Sequence, residues 1–166
     1  MIYVTVGVSQ GFTRLVRIAD RIAKNHKEKF IIQTGDTKYT PRHAESVDVL
    51  PVKEHENNFT EASAVVGHAG TGTLLTAIEN EARLVLFPRL PERDEVYDAH
   101  QLHHIDGWSK RLNVPVAKTG DELRPKLTNP EKIPMLHTDI GGGLIENIGD
   151  IVRDEANTRI NLLPWL

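Results

Sequence analysis

The stretch over residues 64–78 most constrains the fold, because a short apolar segment, a turn of small residues and an apolar helix pattern follow one another directly. Ala-Val-Val-Gly predicts a buried strand, and the His-Ala-Gly-Thr-Gly-Thr that follows predicts a turn that opens a helix. The first backbone N–H groups of a helix have no partner inside it and lie at the positive end of its dipole. This order of elements therefore predicts an anion site, with phosphate or pyrophosphate as the simplest ligand.

Five residues of this stretch are candidates for binding the anion. Gly70 and Gly72 would let the ligand approach the backbone. Thr71 and Thr73 add hydroxyl donors, and Thr73 is expected at the helix N-cap. His68 could donate a further hydrogen bond to phosphate. Two structural alternatives stay open, because such turns also close ordinary strand–helix units and a histidine here could bond only to neighbouring backbone.

Strand and helix patterns alternate along the rest of the chain. Further strands are predicted at residues 2–6, 30–34, 47–52, 84–88 and 114–117. Alternation with short connections predicts an α/β fold, a Rossmann-like parallel sheet with helices on both faces. Ligands collect at the carboxyl edge of such a sheet, so the loop over residues 7–11 is predicted as a second wall of the site. Gly7, Ser9 and Gln10 are its candidate contacts, and an ordinary strand–helix connection is the alternative.

Composition excludes several classes of protein. The chain has 166 residues and no cysteine, which excludes disulfides and thiolate metal sites. Its net charge is −3 with both signs well mixed, so no global basic field would recruit nucleic acid. No apolar run approaches the roughly 20 residues that span a bilayer, and the start lacks the pattern of a signal peptide. A soluble, cytoplasmic protein is expected.

The C-terminal part differs from the rest. Residues 1–127 are predicted to form the α/β domain, and residues 128–166 a helical extension that ends in Leu-Leu-Pro-Trp-Leu. So apolar an end is unusual for a free tail in solvent. It could fold back on its own domain, or it could dock on a partner subunit or a membrane interface, where tryptophan is favoured.

Separated segments carry a resemblance to a known family. They are Val-Thr-Val-Gly at 4–7, Ile-Ile-Gln-Thr-Gly at 31–35, the glycine turn with its helix and the strand at 84–88, and Asp-Ala-His-Gln-Leu at 98–102. Over about residues 1–118 the chain resembles the donor-binding half of family 28-type glycosyltransferases. Within that group it is similar to small catalytic subunits of two-component enzymes, namely bacterial exopolysaccharide subunits and the eukaryotic subunit that adds the second N-acetylglucosamine to dolichol-linked oligosaccharide.

The resemblance implies a fold equivalent to the C-terminal half of a GT-B glycosyltransferase. It also implies the donor-binding catalytic subunit of a heteromeric inverting enzyme, which moves a sugar from a UDP-sugar to a polyprenyl-diphosphate-linked saccharide in polysaccharide biosynthesis. The lipid-linked acceptor and the base that deprotonates it would lie on a membrane-anchored partner subunit. The chain is then expected at the inner face of the membrane, held through its partner, with no cofactor and no metal ion.

The resemblance assigns further residues to the donor. Asp98, His100 and Gln101 would face the donor sugar and fix its hydroxyl groups. His100 also shares a helix face with two other histidines at residues 103 and 104, which leaves a metal site as an alternative, although no carboxylate or cysteine stands at matching spacing. Thr76 occupies the position where relatives carry a carboxylate that meets the ribose hydroxyls.

Two other functions stay open at this stage. The missing ribose carboxylate at Thr76 would fit a non-catalytic subunit that binds a nucleotide-sugar and regulates a partner. A nucleotide-sugar epimerase shares the sheet architecture, but it needs two domains in one chain, and this chain is too short for both.

Overall fold

The computed structural model describes residues 1–8, 10–95, 105, 107 and 109–137. Five strands form one sheet, and they are β1 (Ile2–Thr5), β2 (Phe30–Gln33), β3 (Glu45–Val47), β4 (Ala64–Gly67) and β5 (Leu84–Leu86). Adjacent strands are parallel, and their order is β3-β2-β1-β4-β5. The helices with complete bounds are α1 (Thr13–Ala23), α2 (Val52–Glu61), α3 (Thr71–Glu79) and α4 (Gly120–Thr128).

Helices cover both faces of the sheet, so successive residues of β1, β4 and β5, which point to opposite faces, are all buried. On one face α1 packs with α4 over a core that includes Val4, Ile32 and Val66. On the other face α2 contacts α3, and the ring of Phe59 meets the edge of the Tyr3 ring at 5.7 Å between centroids. The predicted α/β fold, with a Rossmann-like parallel sheet and helices on both faces, is confirmed.

Strand order places the ligand edge of the sheet. The chain runs outward from β1 through β2 to β3, then returns to pair β4 against the other side of β1. Residues Ile2 and Ala64 are aligned at the start of the β1–β4 pair, and Thr5 and Gly67 at its end. The loops that leave β1 and β4 therefore diverge at this switch point, which is where open parallel sheets bind ligands.

Two predicted strands were wrong in their bounds. The strand expected at residues 47–52 is β3, which ends at Val47, and Val52 already opens α2. Pro51 has no N–H to donate to a strand ladder, and it serves instead as the residue before the helix. The strand expected at 114–117 is a single parallel bridge between Leu86 and Val116, beside another proline, Pro115.

By its contacts the chain divides into two units, Met1–Leu136 and His137–Leu166. Residues 138–166, which hold most of the predicted C-terminal extension, lie outside the described residues. The boundary predicted after residue 127 and the docking role of the extension stay predictions. Within the described part of the chain, no helix is both long enough and apolar enough to cross a membrane.

Candidate functional site

A cavity of about 430 Å³ opens at the switch point between β1 and β4. It lies at the carboxyl edge of the sheet, where the loops after β1 and β4 meet the start of α3. The residues that line it are Thr5, Gly7, Val8, Gln33, Leu50, Val52, His55, His68, Gly72, Thr73 and Thr76. We call this space the donor cavity.

The N-terminus of α3 forms one wall of the donor cavity. The helix begins at Thr71, with Gly70 as its N-cap, and its first backbone bond joins the Leu74 amide to the Gly70 carbonyl at 3.2 Å. Among the described residues, no acceptor bonds the amides of Thr71, Gly72 or Thr73. Three N–H groups at the positive end of the helix are therefore free to meet an anion.

The prediction that Thr73 caps the helix was wrong. Gly70 donates its amide to the His68 carbonyl at 2.8 Å, and this tight turn starts the helix earlier. Thr73 is thus the third helical residue, and its side chain turns inward, where its hydroxyl lies 3.3 Å from Nδ1 of His68. Its backbone amide still belongs to the free group, but its hydroxyl is engaged with the histidine.

Gly72 marks the open part of this wall. It is exposed, and a Cβ added at this position would meet nothing within 4 Å. Thr71 beside it is also exposed. The side-chain direction of Gly72 is therefore open, as access for a ligand requires.

The imidazole of His68 is held between two glycines. A Cβ on Gly7, whose φ is +79°, would lie 2.7 Å from Cε1 of His68, and a Cβ on Gly70 would collide with Nε2. Burial, and then the positive charge of Arg89, lower the pKa of His68 to about 4. The ring is therefore neutral at pH 7, and its hydrogen bond to phosphate stays a prediction.

This pKa gives the folding stability a defined pH dependence. Because the protonated ring is disfavoured in the folded state, the unfolded chain binds more protons below the ordinary histidine pKa of 6.5. We expect the free energy of unfolding to fall by about 1–3 kcal/mol between pH 7 and pH 4 on this account. Urea unfolding at both pH values checks it. His68→Asn should reduce the difference and leave the shares of the other groups whose pKa the fold lowers, namely His55, Asp20 and Glu28.

A polar cluster lies at the floor of the donor cavity. The Tyr3 hydroxyl donates to Oε1 of Gln33 at 2.8 Å and lies 2.7 Å from Nδ1 of His55. That nitrogen is also 3.0 Å from Oε1 of Gln33. Because an amide oxygen only accepts, the contacts are satisfied when the neutral imidazole carries its proton on Nδ1. Its other nitrogen, Nε2, is then an acceptor.

Arg89 supports the loop after β1, which forms a second wall of the donor cavity. Its guanidinium is 3% exposed and donates to three carbonyls of the loop after β1, those of Val6 at 3.2 Å, Gln10 at 2.8 Å and Gly11 at 2.7 Å. It also stacks on the Phe12 ring, 4.4 Å from the centroid. Burial lowers the pKa of Arg89, and the charge of Glu95 opposes this. Because an arginine side chain stays protonated in proteins, a positive charge lies beneath the loop.

A second arginine ties the loop after β5 to α1. Arg14 binds Glu95 through two hydrogen bonds of 2.7 Å, and it donates to the carbonyls of Pro88 and Lys118 at 2.6 Å each. The same carboxylate accepts the Leu90 amide at 2.9 Å. These bonds hold the loop after β5 against α1 as far as Glu95.

The structure brings only part of the predicted set together. Gly7, His68, Gly72, Thr73 and Thr76 line the donor cavity. Gly70 and Thr71 lie next to Gly72 at the start of α3 but are not among the lining residues. Gln10 does not line it, because its side chain donates to the Glu95 carbonyl at 3.2 Å. Ser9, Asp98, His100 and Gln101 lie outside the described residues. The contacts predicted for all these residues stay predictions.

Sequence reasoning missed the floor and the supports of this site. Leu50, Val52 and His55 follow β3 along the chain, and the pattern gave no sign that this segment reaches the strand–helix turn at residue 67. Arg89 stood in the sequence directly after an apolar strand at the ligand edge, which is the signal that could have found it. In the part of the chain that the structure describes, no group of three histidine or carboxylate side chains could hold a metal ion.

The chain is similar to known glycosyltransferases. The family model described as "Glycosyltransferase family 28 C-terminal domain" matches residues 1–120. Among solved structures, the spinosyn forosaminyltransferase SpnP is 18% identical, with a TM-score of 0.56 over 78% of this chain and 34% of its own. The calicheamicin glycosyltransferase CalG4 is 13% identical, with a TM-score of 0.52 over 99% of this chain and 44% of its own. No curated protein matches the chain.

These similarities bear on the fold. The chain spans well under half the length of the two solved enzymes, so it corresponds to one part of a larger architecture. At this level of identity the match supports the fold of that part, a Rossmann-like domain of a GT-B enzyme.

Proposed function

The chain belongs to glycosyltransferase family 28, through that family's C-terminal domain, and on this premise we propose that it binds the nucleoside diphosphate of a sugar donor in the donor cavity. One observation carries the proposal. The start of α3, where three amides have no acceptor among the described residues, borders an open space of about 430 Å³ that Gly72 and Thr73 line. Helix starts of this kind bind phosphate through N–H groups and the helix dipole.

The rest of the cavity fits a nucleoside. Val8 and Val52 are 65% and 74% exposed at its rim, so they offer apolar surface that a base could cover. Gln33 and His55 supply polar atoms at the floor. A base stacked against the apolar rim and a diphosphate at the α3 amides would together occupy the cavity.

The same amides would assist sugar transfer. When the bond between the anomeric carbon and the diphosphate breaks, negative charge grows on the leaving phosphate. Donors already aimed at that position stabilise the charge without reorganising. The buried guanidinium of Arg89 adds positive potential at the same edge. The chain would therefore bind the donor and stabilise the leaving group.

Titration of the purified chain with UDP, UMP and uridine tests the donor site. We expect UDP to bind at least about tenfold more tightly than UMP, because the second phosphate is the group that meets the α3 amides. Uridine should bind most weakly. Calorimetry gives the three affinities directly. Equal affinities for UDP and uridine would show that the diphosphate is not recognised.

We further propose that transfer needs a partner subunit at the inner face of the membrane. The acceptor hydroxyl must be deprotonated, and a separate chain with the lipid-linked acceptor would supply that base. With UDP-sugars and a polyprenyl-diphosphate-linked saccharide, the isolated chain should give little or no product, whereas a membrane fraction containing the partner should restore it. Appreciable turnover by the chain alone would contradict the partner requirement.

One observation keeps a regulatory role in view. Position 76 is a threonine, whose hydroxyl donates to the Gly72 carbonyl at 3.0 Å inside α3. It therefore presents no carboxylate to the cavity. A weaker ribose contact would suit a subunit that senses the nucleotide-sugar without transferring the sugar. In that case a donor-site substitution would leave transfer by the partner intact, whereas a catalytic subunit would lose it.

A further inference from the structure

A second cavity, of about 630 Å³, runs along α1 on the sheet face that this helix shares with α4. Five cationic side chains line it, and we call it the basic groove; they are Arg14, Arg17, Arg21, Arg93 and Lys118. Two carboxylates, Asp94 and Glu95, also line it. The basic groove and the donor cavity share no lining residue.

The charge of the groove is opposite to that of the protein. Its lining carries an excess of three positive charges, whereas the whole chain carries −3. Glu95 is already neutralised by its two hydrogen bonds with Arg14. Within the described ranges, no carboxylate lies within 4.0 Å of the charged nitrogens of the other four cations. Asp94 alone remains on the lining to balance them.

The sequence of α1 concentrates this charge on one helix face. Arg14, Arg17 and Arg21 are three and four residues apart, a spacing at which like charges face and repel one another. Asp20 forms no ion pair with these arginines. Its carboxylate is buried and accepts hydrogen bonds from Tyr39 and from the amides of residues 42 and 43. Arg14 is paired with Glu95, and Arg17 lies over the Tyr39 ring at 5.2 Å from its centroid, so Arg17 and Arg21 are left without a carboxylate partner among the described residues.

The start of α1 adds to the positive potential. Its first residue, Thr13, lines the groove, and no acidic side chain occupies its first turn, where it would offset the helix dipole. The start of α4 also borders the groove, through Gly120, but Asp121 and Glu122 in its first turn offset the dipole there. Glu122 also accepts the Lys118 amide at 2.8 Å.

From this unneutralised charge we propose that the basic groove binds a phosphate-bearing ligand, either a free diphosphate or the phosphate of an anionic lipid headgroup. Arg14 and Arg21 are separated by about 10 Å along the helix axis, which is more than a single phosphate needs. Arginine also suits phosphate geometrically, because its planar N–H groups can bind two oxygens at once. The volume is in the usual range for a small-molecule site.

The groove and the donor cavity open at the same edge of the sheet. The helix α1 follows β1, and α4 follows the segment that bridges to β5, so both begin at the carboxyl ends of parallel strands. A ligand in the groove would thus lie on the side of the sheet where sugar transfer is proposed. Binding in the groove is measured without donor or turnover, so its failure would leave the donor proposal standing.

The test titrates inorganic pyrophosphate into the full chain carrying Gly72→Val, which fills the open space at the α3 amides. We expect Arg17→Gln with Arg21→Gln to weaken pyrophosphate binding by about tenfold or more, because both exposed guanidinium groups contribute directly. Arg111→Gln with Arg124→Gln is the matched control, since it removes the same charge from exposed sites outside the groove. The control pair should change the affinity by less than about twofold.

Vesicles distinguish the two sources of phosphate. Sedimentation is measured with phosphatidylcholine vesicles, with and without about one quarter phosphatidylglycerol. Loss of pyrophosphate binding in Arg17→Gln with Arg21→Gln identifies a free diphosphate. Loss of binding to anionic vesicles, with pyrophosphate binding unchanged, identifies a headgroup. Arg17→Lys with Arg21→Lys should retain most of the binding, because the charge is kept. An equal effect of the groove and control pairs, or no binding to either probe, would overturn the proposal.

Discussion

Replacing Gly72 with valine is expected to abolish nucleotide binding while the protein stays folded. The new side chain would enter the donor cavity, which Gly72 lines, at a point where an added Cβ meets no atom within 4 Å beyond its own helix backbone and chain neighbours. It would therefore displace a phosphate without displacing any neighbour. We expect UDP affinity to fall by about a hundredfold or more, which corresponds to about 2.7 kcal/mol of binding free energy.

Stability should hardly change in this variant. Valine is a modest helix former, but glycine is poorer still, so the substitution at the second position of α3 costs α3 little. Gly107→Val is the matched control, because that glycine is also helical, also has nothing within 4 Å of an added Cβ and does not line the donor cavity. Calorimetry with UDP and thermal unfolding of both variants provide the measurements. A Gly72→Val protein that binds UDP like the native chain would remove α3 from the donor site.

Substitution of Arg89 is expected to give the largest loss of stability. Arg89→Leu would leave three loop carbonyls without their buried donor, and we expect a loss of about 3–5 kcal/mol of unfolding free energy. Arg89→Lys keeps the charge, but an ammonium group is compact and cannot span all three carbonyls. An intermediate loss of about 2 kcal/mol is expected for lysine. Urea unfolding measures both.

A second measurement separates this role from simple packing. The Arg89 charge helps to lower the pKa of His68, so this pKa should rise in Arg89→Leu and stay low in Arg89→Lys. Titration of the His68 ring by NMR reports it. UDP affinity should fall in both variants, because the loop wall moves. Arg124→Lys, at an exposed site, is the control. Unchanged stability and UDP affinity in Arg89→Lys would show that the loop does not depend on the guanidinium.

The strand–turn–helix unit could be predicted from sequence because its causes are local. Apolar residues at 64–66 define a buried strand, and small residues at 67–73 allow a tight turn into a helix. The free amides follow from the geometry of any helix start. The precise capping residue did not follow, because a bond between Gly70 and the His68 carbonyl begins the helix at Thr71.

The floor of the donor cavity could not be predicted in the same way. His55 lies on α2, whereas Tyr3 and Gln33 lie on two different strands, and their cluster exists because β1 pairs with β2 and α2 packs on the same face. An apolar pattern identifies each strand, but it does not state which strands are neighbours. The segment after β3 was accordingly predicted as more strand, and its contact with the cavity was missed.

The sequence by itself determined the class of fold, the family and the strand–turn–helix unit with its free amides, because each depends on residues that are close along the chain. Only the tertiary structure decided what surrounds that turn. Arg89 bonds to Gly11, which is 78 residues away, and Arg14 bonds to Glu95, which is 81 residues away. Such contacts depend on the order in which parallel strands assemble, and that order places distant loops at one edge of the sheet.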